Sequence, residues 1–103
     1  MSLKMHAAER IIGRTKMSIA EVLSVISRGA TVELGRSKNV IFLLFYSLLD
    51  NESKVALVDA DDGSLISIWE RNFRFPTGVR RPTRKQEELV KTFEQTTTTN
   101  KTT

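Results

Sequence analysis

The chain has 103 residues, 40% of them hydrophobic and 27% charged, which suits one soluble globular domain and leaves little room for a second. It contains no cysteine and a single histidine, so disulfides, thiolate catalysis, cysteine-ligated zinc and a multi-histidine metal site within one chain are all excluded. Sixteen Lys and Arg against twelve Asp and Glu give a net charge of +4, which permits polyanion binding and makes the placement of the charges decisive.

Nothing in the opening Met-Ser-Leu-Lys-Met-His has the apolar stretch of a secretory signal. The longest apolar run, Val40 to Leu49, is interrupted by Ser47 and is about half a membrane crossing. The expected setting is the cytoplasm, with no membrane contact, no metal and no cofactor.

A first helix is expected over residues 4–13, weakened at Gly13. In it His6, Arg10 and Arg14 stand at i, i+4 and i+8, within roughly 80° of one another at about 100° per residue. Met5, Ala7, Ala8, Ile11 and Ile12 take a different arc. Two guanidinium groups beside an imidazole suit a phosphate or carboxylate, which arginine grips in a fork. A solvated arginine face with an incidental histidine has the same pattern, so both readings stand.

Ser18-Ile-Ala-Glu21 is a capping box that opens a second helix, with Ile19, Val22, Leu23 and Ile26 as its apolar stripe and Gly29 as its left-handed terminator. The period then changes to two. Residues 30–36 alternate as a half-exposed strand, Ser37-Lys38-Asn39 is a turn, and residues 40–49 are apolar enough for a strand covered on both faces. Residues 50–53 turn the chain, 54–59 form a third strand, Ala60-Asp61-Asp62-Gly63 is a tight turn, and Leu65 to Trp69 form a fourth. Asp59, Asp61 and Asp62 lack the spacing of a calcium loop and read as turn chemistry.

Residues 71–85 hold six basic residues, no acidic one, and Phe73 and Phe75. Thr83, with Gln86, caps a last helix that runs to about Gln95, with Leu89, Val90 and Phe93 inward. Residues 96–103 have no apolar anchor and are expected to be disordered. The expected domain is therefore residues 1–95. Its class is α+β: two N-terminal helices, a four-stranded antiparallel meander sheet and one C-terminal helix.

The pattern His6-Ala7-x-x-Arg10-x-x-x-Arg14, followed by Ser18-x-x-Glu21-Val22-Leu23 and then Gly29, resembles the opening of an uncharacterised domain family grouped with RelE-like RNase toxins. The resemblance covers about residues 6–70. It implies a small ribonuclease-like α+β fold that binds RNA across its sheet and has an antitoxin as partner. The stretch 71–85 and the last helix do not map onto that family.

Metal-free RNA cleavage needs a base for the 2′-hydroxyl, an acid for the leaving oxygen and positive charge on the phosphate. His6 is suited to either proton role, because imidazole titrates near pH 6.5. Arg10 and Arg14 are suited to the phosphate, and Tyr46 or Glu9 to completing the proton traffic. The alternative is that His6 decorates the helix while both arginines pair with acids.

In the 71–85 stretch, Arg71, Arg74, Phe75, Arg80, Arg81, Arg84 and Lys85 are the expected nucleic-acid contacts. Phe73, Phe75 and Trp69 are either stacking platforms or plugs at the sheet edge. The function expected first is a small basic RNA-binding, RelE-like domain, with metal-independent endoribonuclease (toxin) activity and binding without cleavage both left open. The alternative is a non-enzymatic interaction or regulatory protein, phage- or host-encoded, that docks on nucleic acid or an acidic protein partner. The first reading requires the opening helix and the late arginine segment to border one concavity.

Overall fold

The structure is a computed structural model and describes residues 13–102. Its elements are helix α1 (Ile19–Ser27), strands β1 (Val32–Ser37), β2 (Val40–Ser47), β3 (Glu52–Asp59) and β4 (Leu65–Glu70), and helix α2 (Arg84–Thr102). The four strands form one antiparallel sheet in the order β1-β2-β3-β4. The chain is thus α+β, as its changing hydrophobic period predicts. Of the two helices expected before the sheet, α1 is the one described; the first, with His6 and Arg10, lies outside the described residues except for its last position, Gly13.

Local chemistry explains the element ends. The Ser18 hydroxyl accepts from the Glu21 N–H at 3.1 Å while the Glu21 carboxylate accepts from the Ser18 N–H at 2.9 Å, so the capping box forms in full. Lys38 and Asn39 both have positive φ, the conformation a two-residue hairpin needs to match strand twist. β2 ends at Ser47, earlier than its apolar run to Leu49 suggests. The Ser47 hydroxyl and Asp50 carboxylate bond at 2.6 Å and close a turn that leaves Leu48 and Leu49 exposed. α2 continues past Gln95 to Thr102, because no Gly or Pro interrupts the threonine-rich stretch.

The sheet is covered on both faces. On one, Val22, Val25 and Ile26 of α1 pack with Met17 and Ala30 against Phe45, Ala56, Val58, Leu65 and Ile68. On the other, Val79 and Val90 are buried with Leu34, Phe42, Leu44, Tyr46, Val55 and Leu57. Phe93 of α2 packs on both clusters, and Arg28 after α1 meets Glu94 of α2 at 2.7 Å. The RNA track across the sheet that the resemblance implies is therefore not bare β2 and β3 surface.

The end of the β2–β3 hairpin is tied down by charge. Lys54, 3% exposed, meets Glu70 at 2.9 Å and Glu52 at 3.4 Å. Burial pushes its ammonium pKa down, but the hydrogen bond and charge of Glu70, with Glu52 and Asp50, outweigh that and hold it above the usual lysine range. Asp50 accepts from the hydroxyls of Ser47 and Thr15 and from the Lys16 N–H. These bonds, with the Lys54 charge, outweigh the burial that pushes its carboxyl up and hold it below its ordinary value.

Candidate nucleic-acid interface

The basic stretch after β4 is a strap held on the sheet by its apolar residues. The Phe73 N–H donates to the Glu70 carbonyl at 3.1 Å and turns the chain. Trp69 then gathers the rings: Phe42 lies edge-on at 5.4 Å, Phe73 at 5.7 Å, and Phe75 stacks at 6.0 Å. Phe75 also meets Phe42 edge-on at 6.2 Å. Each such pair adds about 0.5–1.5 kcal/mol beyond the area it buries. A turn through Gly78 follows, with positive φ and the Val79 N–H on the Pro76 carbonyl. Val79 then bridges Gly35 of β1, and the Arg80 N–H donates to the Leu34 carbonyl at 3.2 Å.

With Phe75 and Val79 turned inward, the cations stay outside. Arg74, Arg80, Arg81, Arg84 and Lys85 are exposed. Among the described residues none of these five side chains has a carboxylate within ion-pair distance. Together they form a cationic ridge running from the end of β4, past the β1 edge, to the start of α2.

The other expected contacts fall elsewhere. Arg71 is held by Glu87 of α2 at 2.7 Å and Glu52 of β3 at 3.9 Å. Phe75 is part of the aromatic packing instead of standing free to stack on a base. Arg14 donates to the Ile68 carbonyl at 2.6 Å, and its guanidinium lies 5.2 Å from the centre of the Phe73 ring. It therefore joins the opening segment to the start of the strap, but as a packing contact. His6 and Arg10, the other two members of the expected set, lie outside the described residues. Tyr46 is buried and donates its hydroxyl to Asn51 at 2.8 Å.

Beside the ridge, between the β2–β3 hairpin and α2, lies a polar cleft of about 280 Å³. Its working parts are Tyr46, Asn51, Arg71, Arg84, Glu88 and Lys91, with Glu52, Ser53 and Glu87 in its wall. Glu87 also accepts from the Ser53 hydroxyl at 2.7 Å. Burial pushes the Glu87 carboxyl up, but Arg71 and Ser53 outweigh it and hold it below its ordinary value. Arg71 is raised in turn, chiefly by its bond to Glu87. Lys91 sits 6.0 Å from the centre of the Tyr46 ring. This cleft was not legible in the sequence, because its members come from β2, the β2–β3 turn, β3, the segment after β4 and α2. The one local sign was the Glu87-Glu88…Lys91 spacing on one side of α2.

Among the described residues no group of three or more His, Asp or Glu side chains is placed to hold a metal ion, and no helix is long and apolar enough to cross a membrane. No protein-family model matches the sequence, and neither curated proteins nor solved structures give a match.

Proposed function

We propose that the protein is a small RNA-binding domain that holds the phosphate backbone on the ridge formed by Arg74, Arg80, Arg81, Arg84 and Lys85. The observation that carries this reading is that these five cations are exposed and without an ion-pair partner among the described residues, three of them on a strap whose own aromatics fix it to the sheet and two on the first turn of α2. A strap whose backbone is already fixed to the sheet pays little backbone ordering cost when its cations meet a polyanion. Its affinity comes from counterion release and is largely blind to sequence.

Binding is favoured over cleavage because two groups near the ridge that are suited to proton transfer, Glu87 and Tyr46, are already engaged. Glu87 is held ionised by Arg71 and Ser53, and the Tyr46 hydroxyl is committed to Asn51. An endoribonuclease toxin of the RelE-like kind would need His6 and Arg10 to supply that chemistry.

The test is anisotropy with a labelled single-stranded RNA at several salt concentrations, alongside a gel for cleavage. The expected result is salt-sensitive binding of intact RNA. Replacing Arg80, Arg81 and Arg84 by Gln should lower the salt slope by about 2, given roughly 0.7 per phosphate contact on a single strand. RNA cleavage abolished by His6→Ala would instead establish the enzyme. No binding of any nucleic acid would leave docking on an acidic protein partner.

A further inference from the structure

The cleft has a division of charge that the ridge lacks. Glu52 is already matched by Lys54 and Arg71, and Glu87 by Arg71 and Ser53. Among the described residues, the ions of the lining without an ion-pair partner are two cations, Arg84 and Lys91, the latter over the Tyr46 ring, and one carboxylate, Glu88. The Asn51 Oδ1 is occupied by the Tyr46 hydroxyl, so its side-chain amide is left with N–H donors.

Donors and cations gathered with a lone acceptor match a ligand that carries a phosphate and a hydroxyl together. A ribonucleotide is such a ligand. Its terminal phosphate monoester carries about −1.5 to −2 at pH 7 and balances two cations, whereas a diester within a strand carries one charge. A carboxylate is the natural acceptor for a ribose hydroxyl. A volume of about 280 Å³ is also close to the lower end of small-ligand pockets, roughly 300 Å³.

We propose that this cleft receives the phosphorylated terminal ribonucleotide of an RNA strand. Arg84, Lys91 and the Asn51 amide bind the phosphate, and Glu88 accepts a hydrogen bond from the ribose 2′-hydroxyl. The strand end, and not a free nucleotide, is the occupant because Arg84 belongs to both the cleft and the ridge. The proposal rests on the RNA-binding reading above and deepens it, giving the ridge a polarity and a means of telling RNA from DNA.

The experiment compares an octanucleotide of RNA with hydroxyl ends, the same RNA phosphorylated at its 5′ end, the same phosphorylated at its 3′ end, and the matching phosphorylated DNA. The full chain is used throughout, with Glu88→Gln at an exposed position and Lys91→Gln at a half-buried one over the Tyr46 ring, the fold of each variant checked by its unfolding midpoint. One terminal phosphate should tighten binding by about tenfold, as a charge-assisted contact of this kind would. Lys91→Gln should erase that gain while leaving the hydroxyl-ended RNA unchanged, and Glu88→Gln should bring RNA and DNA together.

Equal, salt-sensitive binding of all four strands would overturn the cleft and keep the ridge. Binding of none would remove the ridge. In that case uridine 5′- and 3′-monophosphates are titrated while the amide signals of Asn51 and Lys91 are followed. Saturable shifts would assign the cleft to a free nucleotide instead of a strand end, and unchanged signals would refute both proposals.

Discussion

Gly35 and Val79 face each other across an isolated antiparallel bridge that leaves no room for a side chain on the glycine. A Cβ at Gly35 would collide with the Gly78 carbonyl oxygen and lie 2.9 Å from the Val79 Cα. Gly35 also has φ 148°, a backbone conformation that other residues rarely adopt. Together these allow the strap to close over the β1 edge, which is otherwise a row of unpaired backbone groups open to another chain.

Gly35→Ala should therefore destabilise the fold and detach the strap at once. Strain plus a lost bridge is worth about 2–3 kcal/mol, to be read from the midpoint of urea unfolding followed by Trp69 fluorescence. RNA affinity should fall as well, although no cation is removed. Unchanged stability would mean that the strap does not depend on this contact.

Arg71 and Arg74 are near neighbours with opposite assignments. Arg71 ties the β4 end to α2 through Glu87, so Arg71→Ala should cost about 1 kcal/mol of stability after allowance for its half-exposed position. It should leave the salt slope of RNA binding unchanged. Arg74→Ala should do the reverse, with ordinary stability and a slope lower by about 0.7. Matching denaturation curves and salt titrations on the two variants separate these effects.

That contrast shows what sequence can and cannot reveal here. The Ser18–Glu21 capping box, the two-sided apolar run of β2 and the Lys38–Asn39 turn are local patterns, and each forms as its residues dictate. The strap is different. Its positive charge masks the wide spacing of Phe75 and Val79, which makes it part of the second core cluster. Arg71 looks free in sequence because the acids that hold it lie on β3 and α2. Arg14 looks like one member of an anion site because helical periodicity gives only its own helix neighbours. Its contacts with Ile68 and Phe73 come from the other end of the chain.

Lys54 tests the cost of a buried charge. Lys54→Ala leaves Glu70 beside the space the ammonium filled, and should destabilise by about 2–3 kcal/mol. Lys54→Met keeps the packing and should cost less. Because the folded pKa is raised, the contribution of Lys54 is fully present below the unfolded value of about 10.4 and is lost as pH rises through the folded value. Wild-type unfolding midpoints should accordingly fall on the alkaline side, and those of Lys54→Met should fall less.

The acid side depends on Asp50 and Glu87, whose carboxyls are both held below their ordinary range in the folded chain. For a depressed carboxyl the unfolded state takes up protons first. Its stabilisation is therefore complete above an unfolded pKa of about 4 and disappears as pH falls through the folded value. Asp50 accepts from Thr15, Lys16 and Ser47, so its protonation loosens the hairpin end and the approach to α1 together. Asn at this position keeps one acceptor but turns an N–H toward the Lys16 amide or one of the hydroxyls. Asp50→Asn should lose about 1–2 kcal/mol at neutral pH. Its unfolding midpoint should then change less than that of the wild type as pH falls below the ordinary carboxylate range, where the wild-type protein protonates this carboxyl. Parallel acid limbs in the two proteins would place the acid sensitivity at the other depressed carboxyls instead, Glu87 with Arg71 or Glu21 in its capping box.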